Sequence, residues 1–363
     1  MSIDGENMQI LINGKVLFRK ITGIERYAHE TILEIDKKIK YHQYKLVIPA
    51  HYDDTKLPHY NNLEIIKLEG IKKDFLWEQI SLPIYAHKNN GIIVNFDFST
   101  PVFSPGISTI HDISFHINKN YFNQNIRQWL VRIKLELYCY SLARSKYPIF
   151  TVSEFQKEEI IHHYHINPDK IIVAGNAWQH FQLIHEDDSV LAENQIESGK
   201  YFFSLSSNTE NKNFKWIYEA AKVNPESKFI IVGGSTSISS STLKKEKNIL
   251  YLGYQSDERV KSLYKNCKAF IFPSFYEGFG IPPMEALSVG SKIIISNSSC
   301  LPEIYENTAY YINPNNPRVN LDEIMSNKKV DDASKVLNKF TWTITASKWI
   351  EILEKYRINR MKK

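Results

Sequence analysis

Short apolar runs, spaced by longer amphipathic stretches, constrain this chain more than any other feature. Seven runs come first, at 9–12, 45–48, 63–68, 91–95, 108–110, 149–152 and 170–173. Five more follow, at 201–205, 228–232, 249–252, 269–273 and 292–296. Each has three to six residues, mostly Ile, Val, Leu, Phe and Tyr. Such runs have the length and side-chain stiffness of buried strands, and are too short for buried helices. Helical patterns lie between them at 23–40, 125–143, 153–164, 214–222, 257–265 and 283–288. A chain that alternates in this way folds into parallel sheets with helices on both faces, the α/β class.

The alternation pauses from Asn176 to Lys200, a polar stretch that reads as a linker. It divides the chain into a doubly wound, Rossmann-like domain at 1–180 and a second at 181–342. An amphipathic helix at 343–363, ending in Arg357, Arg360, Lys362 and Lys363, is expected to return to the first. The 363 residues suit two domains at about 150 residues each. With 43% hydrophobic and 23% charged residues, the composition excludes a largely disordered chain. Cys139, Cys267 and Cys300 show no paired spacing, which argues against a disulfide framework or zinc cluster and fits a reducing cytoplasm. No run of 18 apolar residues occurs, and the N-terminal stretch carrying Asp4 and Glu6 does not read as a signal peptide. The net charge of +5 suits an anionic small ligand or an acidic membrane surface, and is too small to indicate nucleic acid.

In parallel α/β sheets, ligands bind beyond the carboxyl ends of strands, so chemistry is sought in the residues that follow them. The most informative stretch is 270–287, a strand running through a glycine-containing loop into a helix. Glu277 lies in the loop, with Gly278 and Gly280 beside it, and Glu285 lies on the helix. Glycines permit close approach of backbone to ligand, and the amides of Phe279, Gly280 and Ile281 open a helix and favour an anion. The two carboxylates suit different parts of one extended ligand. The competing reading is a strand-to-helix turn with solvated acids. After the strand at 201–205 comes Lys212, a compact cation suited to phosphate, preceded by Asn211. After the strand at 108–110 come His111 and Asp112. After the first strand come Gly14 and the segment Thr22–Tyr27, with Gly23 and Arg26; Arg26 is either a ligand cation or half of an internal ion pair. Gly253 and Tyr254 follow the strand at 249–252.

Some signals point elsewhere. His162 and His165 have helical spacing for a metal but no matched acid or cysteine nearby. No Gly-x-Gly-x-x-Gly fingerprint follows the first strand, against a nicotinamide dehydrogenase. The stretch 125–146 mixes Arg127, Arg132, Lys134, Arg144 and Lys146 with Trp129, Leu130, Ile133 and Leu137. It suits either an anionic membrane or a helix packed on the sheet with a basic outer face.

The segment 270–287 resembles the Glu-x7-Glu signature of family 4 glycosyltransferases, enzymes of the two-domain GT-B fold that are mostly retaining and use sugar nucleotides. The stretch 290–303 is similar to that family's next strand and turn, and Tyr311–Pro314 to the turn after it. The segment 204–214 resembles its lysine-bearing loop, with Asn211 where an arginine is usual and Ser207 where some members carry one instead. Thr22–Tyr27 resembles its Thr-Gly-Ile-x-Arg-Tyr entry to the first helix. Further similar segments are Trp77–Gln79, Thr151–Phe155 and Asn176–His180. The resemblance implies that Glu285 binds the nucleotide ribose and Glu277 the donor sugar. It implies that Lys212 and Asn211 meet the diphosphate with Gly23, and that Gly253 and Tyr254 border the base. The loop residues Gly278, Phe279, Gly280 and Ile281 complete the donor site. His111 would face the transferred sugar, with Arg26 and Asp112 on the acceptor side.

The expected activity is therefore retaining transfer of a hexose from a nucleotide-diphosphate sugar to a glycan or lipid-linked acceptor in surface polysaccharide biosynthesis, such as lipopolysaccharide or capsule. GDP-mannose is the favoured donor. No cofactor or metal is expected, since no Asp-x-Asp triplet occurs, and the two domains would face a common cleft. The expected location is cytoplasmic, at the inner face of the plasma membrane. The alternatives are a GT-B sugar-nucleotide epimerase, a phosphorolytic enzyme, or a non-catalytic GT-B protein that binds a glycan or a partner.

Overall fold

A computed structural model describes residues 8–40, 43–206, 209–233 and 246–358. Ser207, Arg360, Lys362, Lys363, Asp4 and Glu6 lie outside the described residues. The chain divides into two compact units, residues 1–176 with 342–363, and residues 177–341.

The first unit is built on a parallel sheet of seven strands in the order β3-β2-β1-β4-β5-β6-β7. These are β1 (Gln9–Asn13), β2 (Tyr44–Pro49), β3 (Glu64–Leu68), β4 (Gly91–Asn95), β5 (Ile107–Thr109), β6 (Ile149–Thr151) and β7 (Ile171–Val173). The central strand β1 registers Leu11 against Lys45 on one side and Ile93 on the other. Ile10, Leu11 and Ile12 are wholly buried, as are Leu46, Val47 and Ile48. Consecutive burial of this kind follows from a parallel sheet covered on both faces. Helix starts are written locally. Thr22 and Glu25 form a capping box for the helix Gly23–Lys38, and Asn125 and Ser153 cap Ile126–Arg144 and Glu154–Tyr164 through their side chains.

The helix Trp342–Ile358 completes this unit. Trp349 stacks on Phe150 with centroids 3.6 Å apart and donates its Nε1–H to the Tyr27 hydroxyl at 2.8 Å. Thr343 donates to Glu34 at 2.9 Å and Tyr44 to Glu354 at 2.8 Å, so the contact is bonded at both ends of the helix.

The second unit holds a parallel sheet of six strands in the order β10-β9-β8-β11-β12-β13. These are β8 (Tyr201–Ser206), β9 (Lys228–Gly233), β10 (Ile249–Gly253), β11 (Ala269–Phe272), β12 (Ile293–Ser296) and β13 (Tyr310–Ile312). All twelve strands expected from the apolar runs are present. The sequence pattern missed β13, which is three residues long, precedes Asn313 and Pro314, and reads as a turn. It forms by adding Tyr311 beside Ile295 at the sheet edge.

The stretch 176–200 is also more than a linker. It contains a 3-10 turn at Gln179–Leu183 and a helix at Ser189–Glu193, with Phe181 and Val190 buried. Its polarity reflects bonding to the helix Asp257–Asn266. Arg259 reaches Asp187, Ser189 and Glu193, and Lys261 donates to the carbonyls of Gln182 and Ile184.

Loss of Trp349 removes a buried aromatic from its ring contacts with Phe150 and Phe96 and its bond to Tyr27 at once. Trp349→Ala is expected to destabilise the first unit by about 3–5 kcal/mol, read as a lower urea midpoint. A change below about 1 kcal/mol would show that the returning helix is peripheral to the fold.

Candidate functional site

In the second unit the strand order reverses direction between β8 and β11, the crevice where open α/β sheets hold ligands. The loops after these two strands carry Lys212 and Glu277. The Lys212 Nζ donates to both carboxylate oxygens of Glu277, at 2.7 and 2.9 Å. The lysine side chain is 27% exposed and the glutamate 9%, so the pair is partly withdrawn from solvent with the cation on the open side. The ammonium also lies 5.2 Å from the centre of the Phe272 ring. A bidentate charged contact at low exposure is strong, yet an incoming anion can compete for the cation.

Local chemistry fixes both partners. The Phe275 N–H donates to the Asn211 carbonyl at 2.8 Å, and the Asn211 side-chain amide donates to the Tyr276 carbonyl at 3.2 Å. Asn211 thus spends an amide donor on the loop that carries Glu277. Asn213 has a left-handed backbone (φ 53°) and its buried side-chain amide donates to the carbonyls of Pro273 and Pro314, at 3.0 and 2.8 Å. One residue therefore ties the turn before the helix Phe214–Val223 to the ends of β11 and β13. The Glu277 N–H donates to the Ser299 hydroxyl at 3.1 Å.

Beyond Glu277 the chain turns at Gly280 into the helix Ile281–Ser288. Gly280 has φ 84°, and a Cβ there would meet Leu301 at 2.7 Å, so glycine is required on two counts. The buried Tyr305 hydroxyl donates to the Gly280 carbonyl. Pro282 and Pro283 lack N–H groups, which leaves the amides of Gly280 and Ile281 as the donors at this helix start. Gly278 is half-buried, and Phe279 buries its ring edge-on against Phe340 at 5.1 Å, so only its backbone can serve a ligand. Glu285 lies on the next turn, and its Oε1 accepts the Nε2–H of His180 at 3.0 Å. Gly253 (φ 67°) and the exposed Tyr254 stand at the same carboxyl edge, at the end of β10, two strands from β8.

In the first unit the corresponding reversal lies between β1 and β4. His111 follows β5 and is buried; its Nε2–H donates to the Phe96 carbonyl at 2.8 Å, which leaves Nδ1 as the acceptor nitrogen. Burial lowers its pKa, opposed by that hydrogen bond and by Asp112, so the ring is neutral near pH 7. Asp112 accepts the Ser114 N–H at 2.8 Å and starts the next turn. Gly23 is exposed at the first turn of the helix Gly23–Lys38. Arg26 lies 3.7 Å from Glu30 on the same helix, an internal ion pair.

Sequence reasoning missed a charged cluster at this edge. Lys15 pairs with Glu78 at 2.7 Å, both buried, and Asn13 donates to Glu78 and Asn95. The Ser99 hydroxyl lies 2.7 Å from carboxylate oxygens of both Glu78 and Asp97, with one proton to donate between them, and Arg19 pairs with Asp97 at 2.7 Å. The available signal was the polar pair Asn13 and Asn95 closing two otherwise apolar strands. The sequence also gave His180 no place beside Glu285, because 105 residues separate them.

Comparison with known proteins agrees with this architecture. Residues 187–338 match the model of the family described as Glycosyl transferases group 1. O-antigen chain mannosyltransferase B of Escherichia coli is 29% identical over 223 residues, 58% of this chain and 57% of that protein. O-antigen chain mannosyltransferase RfbU of Salmonella typhimurium is 25% identical over 260 residues, 69% of each. The chain thus spans 57% and 69% of these two relatives' length. Among solved structures, a glycosyltransferase from Rickettsia africae has a TM-score of 0.65 at 17% identity, covering 98% of this chain and all of that one. Anabaena Alr3699/HepE in complex with UDP has a TM-score of 0.66 at 14% identity, covering 96% of this chain and all of that one. The fold is GT-B, as the Glu277–Glu285 segment leads one to expect.

The lowered pKa of His111 carries a sign. Its folded value lies below the unfolded value of about 6.5. The stability linked to it is fully present above that pH and is lost as pH falls from there through the folded value. His111→Gln is expected to flatten part of the decline in urea midpoint between pH 7 and pH 5. His29, also lowered by burial, accounts for some of the remainder. Identical pH slopes for both proteins would contradict this account of the His111 ring.

Proposed function

We propose, on the match of residues 187–338 to the family described as Glycosyl transferases group 1, that this chain is a retaining hexosyltransferase acting on a nucleotide-diphosphate sugar. The observation that carries the proposal is the Lys212–Glu277 pair at the β8–β11 reversal, beside the free amides of Gly280 and Ile281. A cation and oriented amides together stabilise the charge that develops on a departing diphosphate, usually the largest electrostatic contribution to such a reaction. As the diphosphate enters, Lys212 turns to it and Glu277 is released to accept hydrogen bonds from the donor sugar. Glu285 takes the ribose, Asn211 holds the loop in place, and Gly253 and Tyr254 border the base. The proposal needs no metal, because Lys212 and the amides meet the diphosphate charge.

Within the first unit, neutral His111 is assigned to the transferred sugar, and Gly23, Arg26 and Asp112 to the phosphate and acceptor segments. The chemical step is a front-face displacement. The bond from the anomeric carbon to the phosphate oxygen breaks, a bond to the acceptor oxygen forms on the same face, and the departing phosphate oxygen takes the acceptor proton. GDP-mannose is the favoured donor, supported by relatives described as O-antigen mannosyltransferases and by the Thr22–Tyr27 and His111-Asp112 segments. The proposed acceptor is a growing surface glycan, free or lipid-linked.

Lys212→Ala and Glu277→Gln are each expected to lower kcat/KM for the sugar nucleotide by about 100-fold or more, measured as nucleoside diphosphate release across GDP-mannose, UDP-hexoses and dTDP-rhamnose. Full turnover in both variants would overturn the site assignment. One observation favours a second reading. Asn211 stands where a second cation is usual and is already bonded to Tyr276. A non-catalytic partner-binding protein is the conclusion if calorimetry shows that none of these sugar nucleotides binds.

The proposal also places the protein at the inner membrane surface. No helix among the described residues is long and apolar enough to cross a membrane. The helix Ile126–Arg144, however, exposes Ile126, Leu130, Val131 and Leu137 together with Arg127, Lys134 and Arg144. An outer face that is apolar as well as basic suits an anionic bilayer surface better than water. Co-sedimentation with phosphatidylglycerol vesicles is expected, and the double variant Leu130→Glu, Leu137→Glu is expected to abolish it. Equal sedimentation of both proteins would contradict this placement.

A further inference from the structure

We infer that His180 is a positioning residue for Glu285 and thereby sets recognition of the nucleotide ribose; the inference rests on the proposed role of Glu285. His180 lies in the 3-10 turn Gln179–Leu183, in a stretch that the sequence pattern gives as connector. Its side chain is 3% exposed, while that of Glu285 is 16% exposed. The Nε2–H donates to Glu285 Oε1 at 3.0 Å. A carboxylate has two acceptor oxygens, so fixing Oε1 leaves Oε2 at one defined position for the ribose hydroxyls. Without that bond, a glutamate on the helix surface samples several rotamers and must be ordered when the ligand binds.

The turn is built to hold the imidazole still. Trp178 donates its Nε1–H to the Leu337 carbonyl at 3.0 Å. On the other side, the Lys261 ammonium donates to the carbonyls of Gln182 and Ile184 at 3.3 and 2.7 Å. Phe181 packs edge-on against Tyr264 at 5.7 Å. The histidine is therefore fastened before and after itself, and its contact with Glu285 is a property of a braced turn. Lys212, Asn213 and the Gly280 loop form a separate network around the diphosphate position, so the ribose and the diphosphate are addressed by different supports.

The test is calorimetry of the full chain with GDP, UDP and their 2′,3′-dideoxy counterparts. The unmodified protein is expected to prefer the ribonucleotide by about tenfold, and Glu285→Ala to lose the preference. His180→Ala is expected to reduce it to within about threefold of unity while dideoxynucleotide affinity stays unchanged. His180→Gln, which can still donate to Glu285, retains most of the preference, and serves if the alanine variant fails to fold. Equal weakening of both nucleotide types by His180→Ala and His180→Gln would show a merely structural role and overturn the inference. Loss of the preference in Glu285→Ala but not in His180→Ala overturns it as well, leaving the role of Glu285 intact. An unchanged preference in Glu285→Ala, or no binding of GDP or UDP at all, overturns the donor-site reading beneath it.

Discussion

The contact between the Lys212 ammonium and the Glu277 carboxylate organises the second unit's functional edge. The two charges compensate each other at a position where a lone ion would be costly to desolvate. The two loops belong to neighbouring strands, β8 and β11, so the contact joins them at the reversal of strand order. The surrounding bonds follow from it. Asn211 holds Phe275 and Tyr276, and Asn213 holds Pro273 and Pro314. On the proposed reading, a pair with the cation on the more exposed side is a reserved site, in which a diphosphate replaces one carboxylate as the partner of the lysine.

The remaining supports hold backbone rather than charge. Tyr305 holds the Gly280 carbonyl, and Leu301 closes the space where a side chain at 280 would sit. This keeps the amides of Gly280 and Ile281 at the helix start, where two prolines remove competing donors. The first unit shows a different solution. Its reversal between β1 and β4 is filled by the Lys15–Glu78 and Arg19–Asp97 pairs and the Asn13 and Asn95 amides. His111 stands next to that cluster as a neutral imidazole held by one backbone carbonyl.

Parallel strands are legible because burial on both faces demands unbroken apolar runs, as Ile10–Ile12 and Ile293–Ile295 show. β13 was illegible because an edge strand of three residues carries no period and its Asn-Pro sequel signals a turn. The 3-10 turn at Gln179–Leu183 was hidden by composition, since its polar residues are satisfied by Lys261 and Glu285, which are distant in sequence. The positions of Glu277, Lys212 and Glu285 could be read from local motifs, as each follows a strand. Their partners could not. Asn213 to Pro314 and His180 to Glu285 each bridge about a hundred residues, and such pairings are set by sheet order rather than by any local pattern. The same holds for the Lys15–Glu78 pair, whose members look like surface charges in sequence and are buried together.

The central claim is that the Lys212–Glu277 pair is the landing site of a diphosphate. A crystal structure of the full chain with GDP tests it most directly. The account predicts that the Lys212 ammonium leaves Glu277 and lies about 3 Å from a phosphate oxygen, with the phosphates against the amides of Gly280 and Ile281. Bound nucleotide with the Lys212–Glu277 pair intact and the phosphates elsewhere would contradict it.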